Sequence, residues 1–164
     1  MIVLALGSNL GSRLDNLITA SKMLPLRNRK YSYVYESKAL LPENAPLNWD
    51  IPFLNMAISG YTHLSPTELL TSIKDIEKSL GRRNMGVWAP RPIDIDILFY
   101  GRSSIQDTTL TIPHKRIHER DFVLVPACDI CARFSHSTLE VTLESLLLNM
   151  DSDVVKKCKL PLGI

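Results

Sequence analysis

An α+β fold, with a mainly antiparallel sheet and helices packed on it, is predicted by three observations. Four stretches, Ile2–Leu6, Lys30–Ser37, Phe53–Tyr61 and Ile93–Phe99, are apolar runs or alternate with the period of a strand. Two segments, opened by Ser12 and Ser65, place apolar residues at helical spacing behind a capping residue. Their order along the chain is β-α-β-β-α-β, the split-βαβ arrangement of a ferredoxin-like core, and a further helical segment follows near the C-terminus. With 164 residues the chain is expected to form a single domain over 1–164, large enough for a proper core.

Ile2 to Leu6 is a short buried strand that ends at Gly7-Ser8-Asn9-Leu10-Gly11, residues that tolerate unusual φ or bond their own backbone. No Gly-Lys-Ser/Thr follows, so the turn is not a phosphate-cradling P-loop. Ser12 with Asp15 three residues on predicts a capped helix, with Leu14, Leu17, Ile18, Ser21 and Leu24 inward and Pro25 as its end. Lys30 to Ser37 reads as a strand carrying Tyr31, Tyr33 and Tyr35 on one side. Lys38 to Pro52 holds three prolines and no period. Its Leu40, Leu41, Leu47 and Trp49 suit a lid or ligand wall better than a solvated tether.

Phe53 to Tyr61 resumes a strand, with Asn55 on the face of Phe53, Ala57 and Ser59. Ser65-Pro66-Thr67-Glu68 combines an N-cap, proline at the first helical position and the glutamate of a capping box. That helix runs to Leu80 on Leu69, Leu70, Ile73 and Ile76, with Gly81 as the stop and Glu77 one position round from the stripe. Beyond the Ile93–Phe99 strand, Gly101 to Thr108 is a polar turn and Leu110 and Ile112 mark a short strand. Pro113 to Arg120 is a basic segment able to begin a helix. Phe122 to Ile130 is apolar around Pro126, and Thr142 to Met150 is a last amphipathic helix. The Lys156–Lys159 tail is expected to be a solvated charge cluster or a linker stub.

Composition narrows the partners. The formal net charge is only +2, too small to imply nucleic-acid or membrane affinity, while local basic clusters still suit an anionic ligand. No apolar run reaches the length of a membrane span, and Met1–Leu6 lacks the basic flank of a signal peptide, so a cytoplasmic location is expected. Three cysteines argue against a disulfide framework. Cys128 and Cys131 form a C-x-x-C pair without a second ligand pair at zinc spacing, and are taken as packing residues.

The chemistry gathers at Arg91-Pro92-Ile93-Asp94-Ile95-Asp96-Ile97. Asp94 and Asp96 share one strand face, roughly 7 Å apart at the backbone. Side chains so placed can converge on hard cations, because magnesium takes oxygen ligands and commonly keeps carboxylates and substrate phosphates together. A bare D-x-D is more often a solvated strand edge. Here Arg82, Arg83, Trp88 and Arg91 lie just upstream in a segment broken by Gly81, Gly86, Pro90 and Pro92. Acidic ligands beside an arginine-bearing loop are what phosphoryl transfer needs. His114 and His118 are four apart without the H-E-x-x-H signature, so zinc is not expected there.

Leu6-Gly7-Ser8-Asn9-Leu10-Gly11, Phe53-Leu54-Asn55, Trp88-Ala89-Pro90-Arg91-Pro92-Ile93-Asp94-Ile95-Asp96 and Ile112-Pro113-His114, in that order, resemble the 6-hydroxymethyl-7,8-dihydropterin pyrophosphokinases of folate biosynthesis. The resemblance implies magnesium-dependent transfer of pyrophosphate from ATP to the pterin hydroxymethyl group. Asp94 and Asp96 would then hold two Mg²⁺ ions, and Arg82 and Arg91 would be the catalytic arginines. His114 and Arg120 would contact ATP phosphates, with Leu70, Lys74, Glu77, Trp88 and Thr111 in the nucleotide pocket. Phe53 and Phe122 would sandwich the pterin, Asn55 would read its donor–acceptor edge, and Ser37, Ala39 and Leu40 would complete its recognition. The family also implies possible fusion to, or association with, dihydropteroate synthase. The chain departs from the family pattern at Val87, where a basic residue is frequent, and at Lys115, where an aromatic is common; its 38–52 loop is also longer. Two other readings compete: a ferredoxin-like nucleic-acid-binding module using the tyrosines as a stacking platform, and a metal-dependent phosphoesterase using the same aspartates.

Overall fold

A computed structural model describes residues 1–83 and 85–159. Six strands form one antiparallel sheet: β1 (Ile2–Ser8), β2 (Arg27–Tyr31), β3 (Tyr33–Ser37), β4 (Phe53–Tyr61), β5 (Asp94–Tyr100) and β8 (Val155–Lys159). Its order is β5-β1-β4-β3-β8, with β2 also pairing β4. A two-stranded ribbon, β6 (Ile105–Gln106) with β7 (Thr111–Ile112), stands apart. Helices α1 (Arg13–Met23) and α2 (Pro66–Ser79) cover one face of the sheet, and α3 (Asp121–Cys131) and α4 (Leu143–Leu148) cover the other.

Both faces of the sheet are therefore buried, and the alternation along β1 serves two cores. Ile2, Leu4 and Leu6 join Leu17, Leu69, Ile73, Ile95 and Ile97 under α1 and α2. Val3 turns the other way, to Ala57, Phe99, Val123 and Leu143 under α3 and α4. A register shift between Val3 and Leu4 opposite β5 sends the consecutive Leu98 and Phe99 to the second core.

The two expected helix caps behave differently. At Ser65 both halves of the capping box form, the Ser65 hydroxyl accepting from the Glu68 N–H and the Glu68 carboxylate from the Ser65 N–H. Ser12 makes no side-chain cap; Asn16 instead donates to the Ser8 hydroxyl and the Leu10 carbonyl, bracing the glycine turn before α1.

One other expectation is corrected. Tyr31, Tyr33 and Tyr35 do not share a side. The chain breaks at Ser32, whose hydroxyl accepts from the Ala57 N–H, and the register with β4 slips there by one residue. Tyr31 packs against the first core, while the Tyr35 hydroxyl bonds Asp129 of α3 on the opposite face. The Lys156–Lys159 tail, exposed as expected of a solvated charge cluster, also lies in β8, paired with β3. Lys157 reaches Glu36, and the Lys156 and Lys159 ammonium groups stand 4.0 and 5.0 Å from the Tyr33 ring centre. The Phe122–Ile130 run lies in α3, with Pro126 inside the helix, where it has no N–H to give to the backbone ladder.

The helix expected over Thr142–Met150 is present as the shorter α4, capped by Thr142, whose hydroxyl accepts from Ser145 N–H. Cys128 and Cys131 are free thiols packed against the second core, and burial pushes them up to about 11 and about 12. Among the described residues no helix is long and apolar enough to cross a membrane. The last five residues of the expected domain, 160–164, lie outside the described residues.

Candidate active site

The strand order places the ends of β1, β4 and β5 side by side. Gly7 of β1 pairs with Asn55 on one flank and with Asp94 on the other. A side chain at Gly7 would come within 3.2 Å of Asn55 Oδ1 and 3.4 Å of Phe53 Cδ1, so glycine keeps this floor open. Beyond it lie two connected hollows. The larger, about 840 Å³, is walled by the end of α2, the 82–91 loop and the segment before α3. Lys74, Lys78, Arg82, Arg83, Arg91, Arg116 and Arg120 line it against three carboxylates, Glu77, Asp94 and Asp96. The smaller, about 80 Å³, is bounded by Ser37, Leu40, Phe53, Asn55 and Phe122. Trp88, Arg91, Asp94, Asp96 and Arg120 border both, so the acidic pair stands at their junction.

Each acidic residue has its own electrostatic setting. Asp94 is covered by arginines, with Arg82 Nη1 at 2.6 Å from Oδ1 and Arg91 Nε at 3.2 Å from Oδ2. Among the described residues Asp96 has no such close partner: the Arg120 Nη1 stands at 4.0 Å and the His114 imidazole Nε2 at 3.8 Å. Desolvation at the cavity floor and the nearby Asp94 charge raise the Asp96 carboxyl above its ordinary range. Burial holds the His114 imidazole below its usual value, against the pull of Asp96. Among the described residues the Asp96 oxygens have no close partner and those of Asp94 are shared with Arg82 and Arg91; two adjacent carboxylates are the hard oxygen ligands a divalent cation takes together with substrate phosphates, and added positive charge relieves their repulsion.

Glu77 is buried, at 2% side-chain exposure, and both its oxygens are engaged inside the protein. It accepts from Ile95 N–H at 2.8 Å, from Lys74 Nζ at 2.9 Å and from Arg82 Nη1. Burial works against the Arg82 charge, but Asp94 and Glu77 outweigh it and hold the guanidinium above its ordinary range. Asn55 donates from Nδ2 to Ser37 Oγ at 2.9 Å. The Phe53 ring carries the Arg91 guanidinium at 5.6 Å, and Phe122 carries that of Arg120 at 5.8 Å.

Most of the residues expected from the sequence meet here, but not all. Leu70 packs on the apolar core, Thr111 lies in β7 and Ala39 stands outside the lining, although Lys38 and Leu40 beside it contribute. Sequence reasoning missed Lys78, one helical turn beyond Lys74 and legible from that spacing. It also missed Arg116. Asn9 carried no sequence signal beyond that of a turn residue. Its buried amide accepts from Arg91 N–H at 2.8 Å and donates to the Ile51 carbonyl at 3.2 Å, tying the 82–91 and 38–52 loops to the end of β1.

Comparison with known proteins identifies the family. Residues 3–132 match the family model described as 7,8-dihydro-6-hydroxymethylpterin-pyrophosphokinase (HPPK). The chain is 41% identical over 131 residues to the 2-amino-4-hydroxy-6-hydroxymethyldihydropteridine pyrophosphokinase of Aquifex aeolicus, covering 79% of each. It is 44% identical over 135 residues to the folate synthesis bifunctional protein of Chlamydia trachomatis, covering 79% of this chain and 30% of that one. The chain thus spans less than a third of that relative's length. A solved HPPK-DHPS in complex with substrates covers 90% of the chain with a TM-score of 0.67 at 16% identity, and wild-type Plasmodium falciparum HPPK-DHPS does so with 0.64 at 17%. At those identities the likeness concerns the fold, which is the ferredoxin-like one. On the family model and the Aquifex relative, which the match covers over 79% of its length, this chain belongs to the 7,8-dihydro-6-hydroxymethylpterin pyrophosphokinase family.

Proposed function

We propose that the chain transfers pyrophosphate from ATP to 6-hydroxymethyl-7,8-dihydropterin, giving the pterin diphosphate and AMP. The observation that carries this reading is the position of Asp94 and Asp96 at the junction of a large cationic hollow and a narrow aromatic one. The first suits a polyphosphate, because Lys74, Lys78, Arg82, Arg91 and Arg120 supply charge and forked donors. The second suits a flat heterocycle between Phe53 and Phe122, an arrangement in which offset stacking favours planar rings. Asn55 keeps its Oδ1 acceptor for the N–H edge of that ring while its Nδ2 is held by Ser37.

Asp94 and Asp96 would hold two magnesium ions, which when bound would neutralise phosphate oxygens and make the attacking hydroxyl easier to deprotonate. The remaining chemistry belongs to side chains of this chain. Arg82 and Arg91 leave Asp94 for the transferring group and offset the charge that develops on it. Lys74, His114 and Arg120 hold the phosphates, and Trp88 closes the wall between the two hollows. Phe53, Phe122 and Asn55 fix the pterin so that its hydroxymethyl oxygen faces the β-phosphorus, and much of the barrier is met by that positioning. No strong protein base is required. The reaction is placed in the cytoplasm, although the Pisum sativum relative is described as mitochondrial. Fusion to, or association with, dihydropteroate synthase belongs to the same proposal and is supported by the bifunctional relatives.

Incubation with ATP, magnesium and the pterin, followed by chromatography, tests the reading. AMP appearing in step with a pyrophosphorylated pterin supports it. Release of inorganic phosphate alone would favour a phosphoesterase and overturn it. The nucleic-acid module loses its stacking platform, because Tyr31 is in a core and the Tyr35 hydroxyl is bound by Asp129.

A further inference from the structure

The structure points to a built-in counterion exchange: we infer that Arg82 occupies the cation position at Asp94 until a divalent ion displaces it, and that Glu77 retains Arg82 in the exchange. The inference rests on the proposed metal-binding role of Asp94 and Asp96.

Arg82 follows directly on α2. Gly81, at φ +89°, turns the chain so that Arg82 N–H donates back to the Glu77 carbonyl at 3.0 Å. The backbone and the side chain of Arg82 are thus both moored to Glu77, with Nη1 held by the Glu77 carboxylate. The same Nη1 reaches Asp94 Oδ1 at 2.6 Å, so one nitrogen bridges two carboxylates. The moorings differ in kind. Glu77 is buried and is also held by Lys74 and by the Ile95 N–H, whereas Asp94 is a quarter exposed and faces the cavity.

The neighbouring acid is treated differently. With Arg82 and Arg91 on Asp94, the Asp96 oxygens lack a close cation. A divalent ion drawn by Asp96 gains fully only by taking an Asp94 oxygen too, and there it meets Arg82 at Oδ1 and Arg91 at Oδ2; of the two, Arg82 is the one with a second carboxylate to hold it among the described residues. When Arg82 yields Oδ1, the guanidinium is not stranded as an unpaired charge, because Glu77 keeps it. The Nη donors released from Asp94 remain beside the cavity. Metal loading and the arming of Arg82 toward phosphate thus become one event, and metal-free enzyme keeps both groups mutually neutralised. No covalent step is involved.

Binding of Mn²⁺ to the nucleotide-free full chain, followed by electron paramagnetic resonance of the unbound ion, tests this without any turnover. Arg82→Met is expected to bind Mn²⁺ about tenfold more tightly than the parent, since it removes a competing charge at contact distance. Arg82→Lys, which keeps the charge without the forked reach, is expected to lie between the two. Unchanged or weaker binding in Arg82→Met overturns the exchange. Asp94→Asn serves as the separate arm: loss of Mn²⁺ binding there with no gain in Arg82→Met sinks the exchange alone. Undiminished Mn²⁺ binding in Asp94→Asn sinks the metal role on which the proposed function stands. Circular dichroism of each variant shows that the fold is retained.

Discussion

Asp94 and Asp96 differ in their surroundings although they are equivalent in the strand pattern. Asp94 sits under two guanidinium groups, while Asp96 is raised by desolvation and by Asp94 itself. Replacing either by Asn removes a proposed cation ligand and is expected to lower kcat by about a hundred- to a thousandfold. The cores lie on side chains other than these two, so the circular dichroism spectrum should be unaltered. Near-normal turnover in either variant at ordinary magnesium would remove that residue from the chemistry. His136 sets a different residue-scale expectation. It is buried, and its Nδ1 accepts from the Thr138 and Leu139 N–H groups, so it must be neutral to do so. Burial lowers its pKa from the ordinary 6.5, which means that the unfolded chain takes up a proton there before the folded one. Its contribution to stability is complete above about 6.5 and is lost as pH falls from there toward the folded value. His114 acts with the same sign and the raised Asp96 with the opposite one. The melting temperature should therefore drop less between pH 7.5 and 5.5 in His136→Asn, which keeps an acceptor but does not titrate. An equal drop in both proteins would acquit His136.

At the scale of elements, two serines that look alike in the sequence have different effects. Ser65 forms the full capping box on α2, and Ser65→Ala is expected to cost about 1 kcal/mol. That loss corresponds to a fall of about 2–4 °C in melting temperature for a chain of this size. Ser12→Ala should change it little, since no side-chain cap exists there to lose. Equal destabilisation of the two variants would contradict the assignment. The physical reason lies outside the local motif: the turn before α1 is already braced by Asn16 and by the two bonds of Asn9. The same holds for β8, where a lysine-rich tail becomes a strand because Tyr33 and Glu36 on β3 receive its charges. Sequence reading sees the lysines but not the partner strand, which is more than a hundred residues earlier. The tyrosine run failed for a related reason. A single unpaired residue, Ser32, reverses which face the following side chains take, and strand period by itself contains no marker of such a slip.

Over the whole molecule, the β5-β1-β4-β3 order of the sheet explains why one end of it holds the site. It sets β1 between β4 and β5, so that a glycine, an amide and a carboxylate from three distant stretches stand abreast. Cations from α2, the 82–91 loop and the segment before α3 then surround the acidic pair. A non-hydrolysable ATP analogue should stabilise the protein only weakly alone and strongly with magnesium. At a hundredfold excess over its dissociation constant the gain is about 2.7 kcal/mol, read as a rise in melting temperature. An equal rise without magnesium would show that the acidic pair takes no part in nucleotide binding. The sequence by itself determined the order of elements, the Ser65 cap, the paired aspartates and the arginines before them. These are local patterns, set by side-chain period and by residue chemistry a few positions apart. Only the tertiary structure decided that Glu77 moors Arg82, that Asn9 ties two loops together, that Leu70 and Thr111 stand back from the cavity, and that the tail closes the edge at β3. Each of those depends on which distant segments become neighbours, and that is settled by how the two cores pack on the sheet.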